Sequence, residues 1–316
     1  MQPFSSGLRS SVSSSHTSPI PLQAAPVASS PRVDTRTATS GADALRQELA
    51  NVAGPVSTTG NTSTDIYIDI ASIAKATRSA APKAAIASDT PLMLAAADGD
   101  TANVLALLSA GAQVDQVRTD GATALMAAAQ DGHTDTVLVL LQAGAGVGQA
   151  DCTGWTALMF AAQDGHTVTM LALLHAGARL DQTASDGRTV LIAAAQNGHA
   201  DTVRALLVAG APVAQADNAG FTALIAAAQG GHTGTVQALL QAGVTADQAM
   251  PDGWTALMSA AHDGHAATVQ ALLEAGADYQ RKSAPGDTAM SLAIAGGHKQ
   301  VIELLWARAM QSKATS

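Results

Sequence analysis

The sequence predicts an all-α solenoid of about seven helix-turn-helix units behind a disordered amino-terminal segment. Three observations predict it. Gly121, Gly154, Gly187, Gly220, Gly253 and Gly286 recur at intervals of 33 residues without a slip. His133, His166, His199, His232, His265 and His298 keep the same interval. Each interval also carries two short apolar runs, as in "TALMAAAQ" (123–130) and "TVLVLLQ" (136–142). A period of this length marks units that cannot bury their apolar faces alone and stack to do so.

The elements follow in chain order. Residues 1–60 are rich in Ser, Thr, Ala and Pro, and ten of the first thirty are serine. Such a segment buries too little apolar surface to offset its ordering entropy and is expected to be disordered. "GADALRQELANVA" (41–53) has the pattern of one short helix, marginal in isolation. Residues 61–87 read as a capping helix or linker. Within them "DIYIDIASIAKATRSAA" (65–81) suits a lead-in helix, although "DIYIDI" alone also fits a strand. Residues 88–316 form the repeat domain, with Ser88 and Asp100 marking a degenerate first unit. In each unit a threonine such as Thr123 precedes the first helix, where its hydroxyl can cap free N–H groups. A glycine such as Gly144 follows the second helix, where a left-handed residue is wanted. Stacking is expected to bury Leu125, Ala128, Ala129, Val137, Leu140 and Leu141. Only eight of 316 residues are aromatic, so Ala, Leu and Val must build the core.

These residues resemble the ankyrin repeat, whose pattern runs D-x-x-G-x-T-P-L-H-x-A-A-x-x-G-H, a second helix, then L-L-x-x-G-A. The resemblance covers about 88–310. It departs from the family in keeping the proline only as Pro91. Met93, Met126, Met159, Ile192, Ile225, Met258 and Ser291 stand where the family has histidine, so apolar packing is expected in place of that histidine's hydrogen bonds. Trp306 replaces the Leu of other units, which suits a C-terminal cap.

Charge and composition exclude several function classes. The net charge is −9, and residues 88–280 alone carry −14, against +3 for 281–316. A body this acidic repels phosphate backbones, so nucleic acid is excluded as a partner. No apolar run is long enough to span a membrane. Cys152 is the single cysteine, which removes intramolecular disulfides and thiolate clusters. No phosphate loop and no nucleophile constellation is visible, so no enzyme and no cofactor is expected. The six in-phase histidines cannot converge on a metal, because adjacent units stand about 10 Å apart and ligands must lie about 2 Å from the ion. They read as residues that fix the inter-helix turn. His262 and His265 are closer, but a turn separates them.

Binding is the function the pattern supports. The residue after each turn glycine varies as Ala122, Trp155, Arg188, Phe221, Trp254 and Asp287, so three of the eight aromatics occupy one loop row. Tyr279 sits in the last inter-unit loop. Trp, Tyr and Arg dominate interface hot spots. The resemblance implies that partners are contacted through this row and through the ends of the first helices. Carried over by position, the latter are Gln130, Asp131, Gln163, Asp164, Gln196, Asn197, Gln229, Gly230, His262 and Asp263. The competing reading is that each ring folds back on its own turn, and Phe160 on a first helix reads as packing. Asp131, Asp164 and Asp263 favour a protein partner with basic or amide-rich surface. The chain is expected to act as a monomer.

The amino terminus, "MQPFSSGLRSSVSSSHTSPIP", lacks a secretory apolar core and cleavage site. Its serine-rich, acid-free composition resembles the translocation signal of type III secreted effectors of plant-associated bacteria, which implies a host-cell protein as partner. Organelle transit peptides share that composition, as does a plain linker, and an endogenous intracellular adaptor with a disordered tether is the alternative function.

Overall fold

The computed structural model describes residues 88–315. The expectations for 1–60 and 61–87, including the helices at 41–53 and 65–81, lie outside the described residues.

Fourteen helices occur among the described residues, in pairs. The first members are α1 (Pro91–Ala97), α3 (Ala124–Gln130), α5 (Ala157–Gln163), α7 (Val190–Gln196), α9 (Ala223–Gln229), α11 (Ala256–His262) and α13 (Ala289–Gly296). The second members are α2 (Thr101–Ser109), α4 (Thr134–Gln142), α6 (Thr167–His175), α8 (Ala200–Val208), α10 (Thr233–Gln241), α12 (Ala266–Glu274) and α14 (Lys299–Thr315). Each helix packs on its partner and on the corresponding helix of the next unit, which gives two layers. The fold is an all-helical repeat solenoid.

Local chemistry sets the helix ends. The N-caps of the first helices are Thr90, Thr123, Thr156, Thr189, Thr222, Thr255 and Thr288. Each side-chain oxygen accepts the N–H three residues on, relieving one orphan donor. Gly144, past the end of α4, has φ +93°, a conformation that L side chains rarely adopt. An interior first helix has seven residues and is far too short to persist alone. Stacking compensates. Ala128, Ala129, Val137 and Leu140 are fully buried, and so are their equivalents in the third to sixth units. Alanine supplies helix propensity and lets neighbouring backbones approach closely. Leu141 departs from expectation. It is half-buried and packs on the edge of the core.

The histidines secure the inter-helix turn of the preceding unit. His133, His166, His199, His232 and His265 do not cap their own helices by side chain. Instead, Nε2 of His133 donates to Ala97 O of the preceding unit at 2.8 Å. His232, His265 and His298 do the same to Gln196 O, Gln229 O and His262 O. A carbonyl only accepts, so the ring nitrogen carries the proton. These oxygens lie at first-helix C-termini, where no intrahelical partner exists. The ring lies under the preceding unit's turn glycine. A Cβ on Gly132, itself at φ +73°, would stand 2.4 Å from His166 Nδ1.

A second inter-unit thread joins a half-buried threonine of one unit to a buried threonine of the next. Thr101 meets Thr136 at 2.8 Å, Thr134 meets Thr169 at 2.7 Å, Thr167 meets Thr202 at 2.7 Å and Thr233 meets Thr268 at 2.9 Å. Loop tips add backbone bonds, such as Cys152 N to Asp120 O at 2.7 Å and Ser185 N to Thr153 O at 2.8 Å.

Candidate protein-binding face

Each inter-unit loop is a tight hairpin tip. Asp151 N donates to Trp155 O, Asp217 N to Phe221 O and Met250 N to Trp254 O. Asp151 and Asp217 clamp the turn by accepting the N–H of Trp155 and Phe221 at 2.8 Å. Self-bonded tips of this kind hold the row of residues after the turn glycine in register.

Trp155, Arg188, Phe221 and Trp254 are all half-buried. Trp155 and Phe221 pack on the core edge, and Trp155 lies 5.3 Å from the ring of Phe160. Trp254 Nε1 donates to Ser259 Oγ at 2.8 Å, and its ring meets His262 edge-on at 6.0 Å. Arg188 pairs with Asp186 of its own loop at 3.3 Å. Trp155, Arg188 and Trp254 therefore lean on their own units, and all four side chains keep part of their surface in solvent. Tyr279 is half-buried at the carboxy-terminal end, where its hydroxyl meets Ser312 of α14 at 2.8 Å. Bonding with Ser312, then Gln280, holds that hydroxyl below the ordinary tyrosine range.

The first-helix ends line up beside this row. Gln163 is half-buried, and Asp164, Gln196, Gln229 and His262 are exposed. Their backbones are engaged, with Gln163 O accepting from Asn197 Nδ2 at 2.8 Å. The side chains of Gln196 and Gln229 are thus carried on carbonyls pinned by the next unit's histidine. His262 Nδ1 contacts Asp263 Oδ1 at 2.6 Å. The structure gathers Trp254, Ser259 and His262 into one contact group and Trp155 with Phe160 into another. Tyr279 stands apart from both.

Sequence reasoning overlooked a hollow of about 400 Å³ over the first three units, lined by Leu94, Arg118, Ala122, Ala127, Asp131 and Phe160 among others. Its signal was present. Ala122 and Ala127 put two alanines in one unit where the next has Trp155 and Phe160. Arg118 on its rim is gripped by Asp89 at 2.7 Å and by both carboxylate oxygens of Asp120. The guanidinium holds the Asp120 carboxyl down at about 2.

Among the described residues, no group of three or more His, Cys, Asp or Glu side chains could hold a metal. Cys152 is exposed and free. No helix among the described residues is long and apolar enough to cross a membrane.

The family description of ankyrin repeats in three copies matches residues 92–184, 172–250 and 243–315. The chain belongs to the ankyrin-repeat family, a class of interaction scaffolds that bind protein partners and are in general not enzymes. The solved ankyrin repeat domain of human ASB11 is 26% identical, with a TM-score of 0.65 over 70% of this chain and 98% of that one. The ankyrin repeat domain of Bcl-3, described as a unique member of the IkappaB protein family, is 30% identical, with a TM-score of 0.58 over 69% of this chain and 99% of that one. Among curated proteins none matches.

Proposed function

We propose that the chain is a non-catalytic recognition module that grips a protein through its loop row and first-helix ends. Trp155, Arg188, Phe221 and Trp254 anchor the contact, with Gln163, Asp164, Gln196, Gln229, His262 and Tyr279 around them. The observation that carries this is the placement of rings. A core built from Ala, Leu and Val leaves three of the eight aromatics at one loop position, all with surface in solvent. Half-buried aromatics on a rigid base lose little conformational entropy on binding. The exposed acids Asp131, Asp164 and Asp263 favour a partner with basic or amide-rich surface. Replacing Trp155, Phe221 and Trp254 together by Ala is expected to abolish capture of a partner from host extract. Unchanged capture removes the row from the interface.

The setting we favour is a secreted effector acting on a host protein in the host-cell cytoplasm. The serine-rich, acid-free head supports it. Residues 1–60 fused to a translocation reporter are expected to enter host cells by type III secretion. No delivery leaves the second reading, an endogenous intracellular adaptor. That reading is favoured by the same composition, which a plain tether shares.

A further inference from the structure

The hollow over the first three units arises from a vacancy in a repeating pattern. Leu94, Ala127, Phe160, Ala193, Ala226 and Ser259 occupy one position of successive first helices. Beside it runs the loop row. In the third unit Trp155 lies on Phe160, and in the sixth Trp254 bonds Ser259. In the second unit both positions are alanine, Ala122 and Ala127, and the space stays open at about 400 Å³. Leu94, 53% exposed, and the half-buried Phe160 contribute its apolar lining.

The electrostatics of the rim are one-sided. Asp89, Asp120, Asp131 and Asp151 face a single cation, Arg118. Arg118 is already taken by Asp89 and Asp120. Asp151 spends Oδ1 on its own turn, at Thr153 and Trp155. Asp131 is exposed at the end of α3. Neither Asp131 nor Asp151 enters an ion pair with any described residue.

We infer that this hollow receives an arginine or lysine side chain of a protein partner, its stem against Leu94 and Phe160 and its charge beside Asp131 and Asp151. Long cationic side chains lay apolar stems along apolar surface while the head stays near water and counter-charge. An aromatic face adds attraction for the cation. A neutral apolar occupant would desolvate carboxylates without compensation, and an anionic one would meet a net negative rim. The inference rests on the protein-binding reading above, but it does not use the loop-row rings as anchors.

The test is a titration of the full-length protein, followed by NMR, with a capped alanine heptapeptide carrying one central arginine. The same peptide with citrulline, equal in shape and uncharged, is the control. Arginine is expected to shift signals of Leu94, Ala127 and Phe160 and to bind at least about ten-fold more tightly than citrulline, the product of two solvent-accessible charge contacts of about three- to five-fold each. Ala122→Trp, which gives the second unit the ring its neighbour carries, is expected to abolish binding. Asp131→Asn is expected to weaken it about three- to five-fold. Asp135→Asn, at an exposed acid in the first turn of α4, is expected to change nothing. Ala127→Phe fills the hollow from the helix side, and it replaces Ala122→Trp if that variant loses its helical circular dichroism. Equal affinity for arginine and citrulline, undiminished binding in the filled variants, or no shift at these three residues each overturns the inference. Partner capture by the Trp155, Phe221 and Trp254 row is measured separately, so failure of one reading is distinguishable from failure of the other.

Discussion

Thr235 is 1% exposed, yet its hydroxyl has no hydrogen-bond partner. Four other inter-unit threonine pairs close at 2.7–2.9 Å. The position that would face Thr235 is occupied by Ala200, where Thr101, Thr134, Thr167 and Thr233 stand in other units. Ala200→Thr restores the pair. The backbone already accepts Thr there in four units, and Gly234 across the interface leaves room. A Cβ placed on Gly234 would stand 3.7 Å from the Ala200 Cβ.

An orphaned buried hydroxyl costs about 1–3 kcal/mol, and a formed bond returns a net 0.5–1.5 kcal/mol or so. Against this stands the lower helix propensity of Thr, up to about 0.7 kcal/mol. The expected net gain is about 1 kcal/mol. Urea unfolding followed by circular dichroism measures it as a midpoint increase of a few tenths of molar, given a slope of roughly 2–3 kcal/mol/M or more. Two companions sharpen the test. Thr235→Val is expected to be neutral or stabilising, because it removes an orphan. Thr169→Val is expected to cost about 1 kcal/mol, because it removes the bond to Thr134. In the double variant Ala200→Thr with Thr235→Val the gain must vanish, which isolates the pairwise term. A destabilised Ala200→Thr, or a Thr235→Val as costly as Thr169→Val, refutes the reasoning.

Two glycines with similar backbone should respond differently to alanine. Gly132 (φ +73°) would drive a Cβ against the His166 ring, whereas Gly144 (φ +93°) has open space around it. Gly144→Ala is expected to cost about 1–2 kcal/mol of strain and Gly132→Ala at least 1 kcal/mol more, read from the same unfolding curves. The acid limb offers another check. The carboxyl of Asp120 is held below its ordinary 3.8, at about 2, by Arg118. Its contribution is present above the unfolded value and lost as pH falls from about 4 towards 2. Nominally such a shift is worth about 2 kcal/mol, but 45% side-chain exposure reduces it to under ~1 kcal/mol through solvent screening. Asp120→Asn should therefore cost under ~1 kcal/mol at pH 7 and only a small remainder of that at pH 2, where the folded carboxyl is half protonated, by urea titration.

What was legible in the sequence follows from how far each interaction reaches along the chain. Thr123 caps the N–H of Met126 three residues away, and Gly144 ends α4 within one turn. Such contacts depend only on neighbours in sequence, so the residue types announced helix ends, unit length and fold class. The loop row was legible too, because Trp155, Phe221 and Trp254 break an otherwise aromatic-poor pattern.

The apolar stacking of Leu125, Ala128, Ala129, Val137 and Leu140 was legible, but the hydrogen bonds between units were not, because their partners lie a full unit away and are offset from the 33-residue period. His133 reaches Ala97 across 36 residues, and Thr134 reaches Thr169 across 35. The offset is set by how one helix pair seats on the next, which repetition alone does not specify. Only the stacked structure could turn the histidines from turn residues into inter-unit ties and expose the orphan at Thr235. It also decided that two small side chains, Ala122 and Ala127, leave an open space. Whether an alanine is buried filler or the floor of a hollow depends on the volume of what stands beside it in three dimensions.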